Sequence, residues 1–599
     1  MQTNQLIRDN DIPRYKMRKN LILSALLILS SSYFVMAQEK ENNKEEEDIG
    51  TEVVNVVKPY TPTISDANKI QEKPPLNDSI TTATKDINYT IFSVPVASTF
   101  TPSKGKATGL QKAARERLYN SYLSLGLGNY NTAKLDFYTS RDFNRDESLD
   151  LMLNHHSSQG GIDDVALDDK FYDTSLEAYY RKRNRYMSWG VNGGFKHQIY
   201  NWYGVPAEIQ ESVISDIDEK QSYYTAFVGA NMQFEDSYFT GGEVYYRRFW
   251  DGFSSGENRA VLQPKFQFPV GEELMNLDVE VDYVGGSFDR EYANTNDINY
   301  SNVFAGVTPS IQILSDKLTL NLGASVVYNQ DIENSDGDFF FYPEVDVAYN
   351  IVEEYVTAYG GVKGDLQQNS YYDYAQENPY ISPTIDITPT DQKYNGFAGV
   401  KGRFLPNVGY NLRGSYIKEN DKGLYRSNSS HGLDDSGIVN NEGYAYGNSF
   451  EVIYDDVTTI SVFGEINVDI NRNLTMGING EFADYSSDDE AEAWNLPAIK
   501  GSLFGNYSKG KWSAGLNAFY VGERKDLVGN ITLPSSQELS IENLDGYFDL
   551  NANIGYDITA QWSAFIKANN ITGSQYNRLV NYPVQGFQIL AGAAYKFDL

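Results

Sequence analysis

Apolar and polar residues alternate along most of the chain between Tyr119 and Leu599. Leu318, Leu320, Leu322, Ala324, Val326 and Tyr328 are interleaved with Thr319, Asn321, Gly323, Ser325 and Asn329. Trp512, Ala514, Leu516, Ala518 and Tyr520 alternate with Ser513, Gly515 and Asn517, and Leu474, Met476 and Ile478 with Thr475, Gly477 and Asn479. In the stretch GYFDLNANIGYDITAQWSAFIKANNITG, Phe548, Leu550, Ala552, Ile554 and Tyr556 take turns with Asp549, Asn551, Asn553 and Gly555. A period of two puts every second side chain on one face of a strand, so each strand has an oily side and a wet side. No long helical stripe interrupts the pattern.

The connections sort by length. Tight turns at Glu235-Asp236, Ser315-Asp316, Pro406-Asn407, Asn471-Arg472-Asn473, Ser508 to Lys511 and Asp557 to Gln561 alternate with long polar loops at 199–219, 285–298, 368–392, 418–445, 485–496, 522–544 and 571–583. The segment 446–468 reads either as one long strand or as a hairpin plus a strand. Short turns at one end and long loops at the other are the asymmetry of an outer-membrane barrel. Counting back from the C-terminus gives about 22 strands, with both chain ends on the turn side. An open sheet of that size would leave two unpaired edges, so closure is expected. The fold expected is all-β: a large transmembrane antiparallel β-barrel over 119–599, too wide for its own side chains to fill. Its oily face would meet lipid.

Bulk composition fits. Mean hydropathy is −0.48 although aromatics make up 14 % of the residues, 46 of them Tyr; strands that show lipid only every second residue, with rings gathered at the interfaces, produce this combination. A formal charge of −32 excludes nucleic acid as a natural partner, because phosphate contacts need a basic surface. With no cysteine there is no disulfide framework, CxxC redox centre or thiolate metal site.

The N-terminal region has a different texture. MRKNLILSALLILSSSYFVMAQ, from Met17, has a basic start, an apolar stretch from Leu21 to Met36 and a small residue, Ala37, before Gln38. This is the three-part pattern of a secretory signal peptide over 1–37, with Met17 as the expected start. Residues 38–118 form a mostly irregular leader: a charge run (QEKENNKEEEDIG), two Pro-punctuated extended stretches at 51–64 and 87–100, and a short helical pattern at 106–120. About 80 residues of this kind cannot bury much of a core alone.

The final hairpins carry a family resemblance. WSAFIKANNITGSQYNRLVNYPVQGFQILAGAAYKFDL (562–599) resembles the C-terminal signature of TonB-dependent receptor barrels, through Asn570, Ile571, Gly573, Tyr576, Pro583, Gly586, Tyr595 and Phe597. It departs from the family in having PVQGF for the usual Pro-Gly-Arg and in ending Phe597-Asp598-Leu599 instead of on an aromatic. The resemblance implies transport across the outer membrane, reading of the last strand by the barrel-assembly machinery, and a plug inside the barrel. The usual plug, some 130–150 residues in the family, is not found in this sequence. Residues 58–117 are long enough only for a reduced plug; a partner protein filling the lumen is the alternative. Glu52, Val53, Val54, Asn55, Val56 and Val57 resemble the short box by which such receptors engage TonB through strand addition. An extended linker is the simpler reading of the same residues.

Catalytic, cofactor and metal sites are not expected. The four histidines, His155, His156, His197 and His431, form no HExxH or Ser/His/acid motif. His155 and His156 are neighbours on a predicted strand and would face opposite ways. The acidic runs NSDGD (334–338), DDSG (434–437) and SSDDEAE (486–492) lack the ligand spacing of a calcium loop and read as solvated loops. DSI (78–80) has the form of a bacterial O-glycosylation site. Tyr245, Tyr246, Phe249 and Trp250, with Phe339 to Tyr342, read as an interface girdle in preference to a substrate shelf. Two functions follow: uptake of a small ligand, with a passive porin as its variant, or a plugless platform for surface or periplasmic partners. An enzyme is not expected.

Overall fold

The computed structural model describes residues 117–599 apart from 208, 210, 272, 431–441 and 530–538. The signal peptide, the box at 52–57, DSI (78–80) and the short helix at 106–120, except its last four residues, therefore lie outside the described residues.

Twenty-two strands form one antiparallel sheet. Each pairs with its neighbours in sequence, and the first, Ser121–Gly128, pairs with the last, Gln588–Phe597, through a register from Ser121↔Phe597 to Gly128↔Leu590. The sheet is thus a closed up-and-down barrel with no free edge. Closure satisfies every strand's backbone laterally, which is what allows a sheet to sit in hydrocarbon. Among the described residues no helix is long and apolar enough to cross a membrane.

The sorting of connections by length is present. At one end, turns of two to four residues, such as 145–146, 235–238, 406–407 and 558–561, join the strands. At the other lie 159–170, 202–219, 368–389, 428–449, 488–498, 522–546 and 570–587. Three connections on this loop end are also tight, at 129–132, 252–255 and 332–335, so the asymmetry has exceptions that turn chemistry alone did not flag. From residue 450 onward the segment 446–468 belongs to one strand, Phe450–Asn471. Its neighbour Val408–Ser427 is 20 residues long and carries the ladder well into the region expected to be loop from 418 onward.

The alternation decides which way each side chain points. On the neighbouring strands Phe450–Asn471 and Leu474–Ser487, Ile460, Val462, Ile466, Ile478 and Phe482 face outward and are 42–54 % exposed. The residues between them, Ser461, Glu465, Asn467 and Asn479, face the lumen. The same holds round the cylinder: Leu176, Val191, Val228, Val244, Leu262, Val281, Val307, Leu412, Leu516, Ile554 and Ile566 are all exposed. A continuous apolar belt of this size on a monomer's surface needs a non-aqueous partner. At the turn end Trp512 packs on Tyr556, and Trp562 on Tyr595, which stacks on Phe597; these rings form one interface girdle.

Candidate functional site: the loop-filled mouth of the barrel

Inside the loop end, the segment 368–389 turns inward rather than standing in solvent. The reason is legible in its side chains. Tyr371, Tyr374, Ala375, Ile381, Ile385 and Ile387 are too apolar for water, and all are buried. They pack against Tyr223, Phe249, Val284, Phe288, Tyr300 and Val452. Tyr223, Phe249, Val284, Phe288 and Tyr300 lie on the lumenal side of their strands, opposite the outward-facing Val228, Val244, Val281 and Val307. The segment therefore folds into the lumen from its roots on strands Val356–Gln367 and Thr390–Leu405 and packs against the wall between strands Lys220–Phe234 and Ile298–Leu314. We refer to it as the strap.

A seven-residue helix, Tyr371–Glu377, forms its middle. Ser370 caps it, accepting from the Asp373 amide at 3.1 Å, and the Asn378 amide closes the far end on the Tyr374 carbonyl at 2.8 Å. Charged groups of the wall grip the start of the helix. The Glu257 carboxylate, 1 % exposed, accepts from the Tyr371 amide at 2.6 Å, from Tyr300 Oη at 2.7 Å and from Arg247 Nη2 at 3.2 Å. Arg247 also donates to Ser370 Oγ at 3.1 Å and lies 3.8 Å above the Tyr372 ring. Tyr371 Oη donates to Asp251 at 2.8 Å. Arg259 holds Asp282 at 2.6 Å and Asp373 at 3.2 Å. Buried charges are tolerated when they are paired and hydrogen-bonded, and here the strap supplies part of that pairing, one donor each to Glu257 and Asp251 and an acceptor to Arg247. On the neighbouring wall Lys196 donates to Gln376 Oε1 at 3.0 Å, and Gln376 donates to Gln198 at 2.9 Å.

A second junction ties loops from around the rim together. Tyr582 packs on Tyr380 with ring centres 3.8 Å apart, on Tyr203 at 4.9 Å and on Phe450 at 5.9 Å. Phe450 opens the sixteenth strand and Tyr203 follows the fifth; sixteen minus five is eleven, half of the 22-strand circuit, so the contact spans the mouth. Tyr582 Oη donates to the Asn448 carbonyl, Asn448 Nδ2 donates to the Trp202 carbonyl at 2.9 Å, and Tyr203 Oη donates to the Pro583 carbonyl at 2.9 Å. Gly204 passes so close to the Tyr582 ring that any side chain there would collide with it. The expectation of long polar loops is corrected accordingly: their tyrosines and isoleucines make a core within the mouth.

The acidic loops serve as structural partners. Asp455, 4 % exposed, accepts the amides of Asp489 and Glu490 at 3.1 and 2.8 Å, folding 488–498 onto the strand end. Glu490 accepts from Trp494 Nε1 at 2.8 Å and pairs with Arg426 at 3.3 Å. Asp488 pairs with Lys418 at 3.3 Å, and Glu492 with Lys525. Asp526, fully buried on the hairpin Arg524–Gly529, accepts the Ser427 amide at 3.1 Å; burial pushes its carboxyl up to about 6. In NSDGD, Asp331 from the preceding strand accepts both the amide and the side chain of Asn334. DDSG (434–437) and His431 lie outside the described residues.

Below the strap the lumen wall is polar. A concavity of about 230 Å³ is lined by Glu280, Thr308, Ser325, Glu344, Asp365 and their neighbours. Nearer the turn end, a wider one of about 690 Å³ carries Arg145, Glu147, Tyr179, Arg181, Lys182 and Glu243.

The structure gives each residue of the predicted C-terminal signature a place, while the box at 52–57 lies outside the described residues. Asn570 adopts a left-handed backbone (φ 44°) and donates to the Ser574 and Gln585 carbonyls at 2.7 and 2.9 Å. Gly573 is also left-handed, at φ 67°. The Ile571 amide donates to the Leu550 carbonyl at 2.8 Å, and the Gly586 amide to the Gly161 carbonyl at 3.0 Å. Tyr576 Oη donates to Asp549 at 2.7 Å, with its ring stacked on Tyr547. Pro583 receives Tyr203 as above. These residues thus build the last loop and fasten it to the mouth, while Tyr595 and Phe597 lie on the outer face of the closing strand. Beyond it Asp598 is held by Arg117 at 2.6 Å.

His155 and His156 face opposite ways: His155 contacts Thr174 and Ser157 at 2.7 and 3.1 Å, whereas His156 meets the Phe171 ring edge-on at 5.1 Å. Among the described residues no group of three or more His, Asp or Glu side chains is gathered to hold a metal. The aromatic clusters split by parity. Tyr246, Phe339 and Phe341 are exposed outward, as a girdle requires. Phe249 and Tyr342 are 0 % and 4 % exposed inside, so the girdle reading is corrected for them. Sequence reading also missed the grip on the strap by Arg247, Glu257 and Arg259. Charged residues so close to the loop end of lumen-facing positions were the signal available.

No family model and no curated protein matches the chain. Solved structures do match. The FrpB iron transporter from Neisseria meningitidis superposes with a TM-score of 0.61 at 10 % identity, covering 80 % of this chain and 82 % of that one. The pyoverdine outer membrane receptor FpvA from Pseudomonas aeruginosa PAO1 gives 0.59 at 12 %, covering 81 % and 80 %. The siderophore receptor PirA from Acinetobacter baumannii gives 0.59 at 12 %, covering 80 % and 81 %. Closed by 22 strands and matched over four-fifths of its length, this chain has the barrel fold of the TonB-dependent outer-membrane receptors.

Proposed function

We propose that the protein is a non-enzymatic outer-membrane receptor that takes up a small ligand, with its loop end outside and both chain ends at the periplasmic rim. The observation that carries this reading is a lipid-facing barrel of receptor size whose mouth is filled by its own loops. A passive porin needs a standing aqueous path, and a mouth bridged across its full width disfavours one. The solved neighbours are named as an iron transporter, a pyoverdine receptor and a siderophore receptor, which supports uptake over a platform role. In this reading 1–37 is removed on export and 38–118 is a periplasmic leader whose residues 58–117 serve as a reduced plug. Residues 52–57 offer an extended strand to TonB, and Tyr595 and Phe597 are read by the assembly machinery. Membrane fractions carrying the full chain are tested for capture by immobilised TonB, beside a chain lacking 51–57. Capture by the first and its loss in the second are expected; no capture by the full chain refutes TonB-driven uptake.

A further inference from the structure

The strap is rooted at two adjacent strands, folds into the lumen, and is gripped where its helix begins. One buried carboxylate joins the start of its helix to two groups of the wall. Glu257 takes three donors, of which the Tyr371 amide is the strap's own, while Arg247 reaches the strap through Ser370, Asp373 and the Tyr372 ring. Removing Glu257 leaves Arg247 with the exposed Asp373 as its remaining carboxylate partner and leaves the first turn of the helix without its acceptor. Beneath the strap lies the chamber lined by Glu280, Thr308, Ser325, Glu344 and Asp365, and Gln368, at the strap's root, reaches over it to the Asn302 carbonyl at 3.3 Å.

We infer that the strap, residues 368–389, is a permeability barrier between the outside and this chamber, latched by Glu257 and separate from anything the chain before Arg117 contributes. The inference goes beyond ligand uptake and rests on that reading only for which end faces out. The strap approaches from the loop end, away from the turn end where Arg117 meets Asp598. Its apolar underside supplies the adhesion, and the ionic grip sets the register. Loss of one partner from a fully buried ion pair is strongly destabilising, because the other is stranded in low dielectric.

The chain contains no cysteine, so a single introduced thiol reports without background. Ser325→Cys places it in the chamber and Glu333→Cys in the tight turn 332–335 on the loop end. Intact cells bearing the full chain are treated with a bulky membrane-impermeant maleimide. Glu333→Cys is expected to react readily and Ser325→Cys slowly. Adding Glu257→Ala should speed Ser325→Cys labelling on the order of a hundredfold, the scale set by breaking a buried pair, without changing the Glu333→Cys rate. Arg247→Gln is the second latch variant, used if Glu257→Ala lowers the yield of heat-modifiable barrel. Rapid Ser325→Cys labelling with the strap intact overturns the barrier. Equal protection after the latch is removed overturns the latch and with it the inference. A silent Glu333→Cys overturns the outward placement, and hence a barrier against the outside; that result is distinguishable because it leaves no surface label at all.

Discussion

Ile478 offers the sharpest test of what the outer wall touches. It is half-exposed on the lipid-free barrel, pairs across the ladder with Ile466, and sits four residues beyond the start of its strand at Leu474. A strand tilted by ~40° advances about 2.5 Å per residue along the barrel axis, so an apolar band ~25 Å tall holds about ten residues. Ile478 therefore lies close to the mid-plane. Ile478→Arg should cost about 2–4 kcal/mol of folding stability in lipid vesicles, the price of a cation at the hydrocarbon centre. Asn479→Arg, one residue on, points into the wet lumen and should cost under ~1 kcal/mol. The two proteins would be refolded into vesicles of one thickness and compared by urea titration, with the heat-modifiable band as the measure of folded barrel. Equal costs at 478 and 479, or a harmless Ile478→Arg, would refute the assignment of the outer face to acyl chains. It would also remove the basis for the orientation of every other strand.

Three further outcomes are expected. Asp455→Ala leaves the amides of Asp489 and Glu490 without their acceptor, at about 1–3 kcal/mol of local stability, so limited proteolysis should cut 488–498 first while the barrel stays intact. Asn570→Ala removes a buried donor to two carbonyls and places a non-Asn residue at φ 44°; a loss of about 2 kcal/mol in the seating of 570–587 is expected, read as faster amide exchange there. Asp526 has a folded carboxyl pKa of about 6, above its ordinary value. Its protonated form therefore stabilises the hairpin fully at low pH and that contribution fades as pH rises through about 6. Amide protection of Arg524–Gly529 should fall between pH 5 and pH 7 by up to tenfold or so, on the order of one pKa unit's worth of free energy, and Asp526→Asn should abolish the dependence.

Much of the candidate site was not readable from order along the chain. Tyr582 and Tyr203 lie far apart in sequence, and nothing local to either announces the other. What was readable was a discrepancy. A stretch such as YYDYAQENPYISPTID carries Tyr371, Tyr372, Tyr374, Tyr380, Ile381 and Ile385, more apolar surface than a solvated loop can leave in water. Reading 368–392 as a polar loop gave weight to its Asn, Gln and Asp and too little to its rings. Likewise, a single girdle made of the aromatic runs at 245–250 and 339–342 overlooks that adjacent strand residues part to opposite faces.

Alternation at Leu318 to Tyr328 or Phe548 to Tyr556 is a local property, and each strand position is tested separately by the medium it meets. Orientation, strand number and closure were therefore determined residue by residue in the sequence. Which way a loop folds once the strands end is settled by partners on other strands: Glu257 for Tyr371, Asn448 for Tyr582, Asp455 for Glu490. Those partners come within reach only when the cylinder has closed, because closure brings the fifth and sixteenth strands to face one another across a single lumen. That part of the protein belongs to the tertiary structure alone.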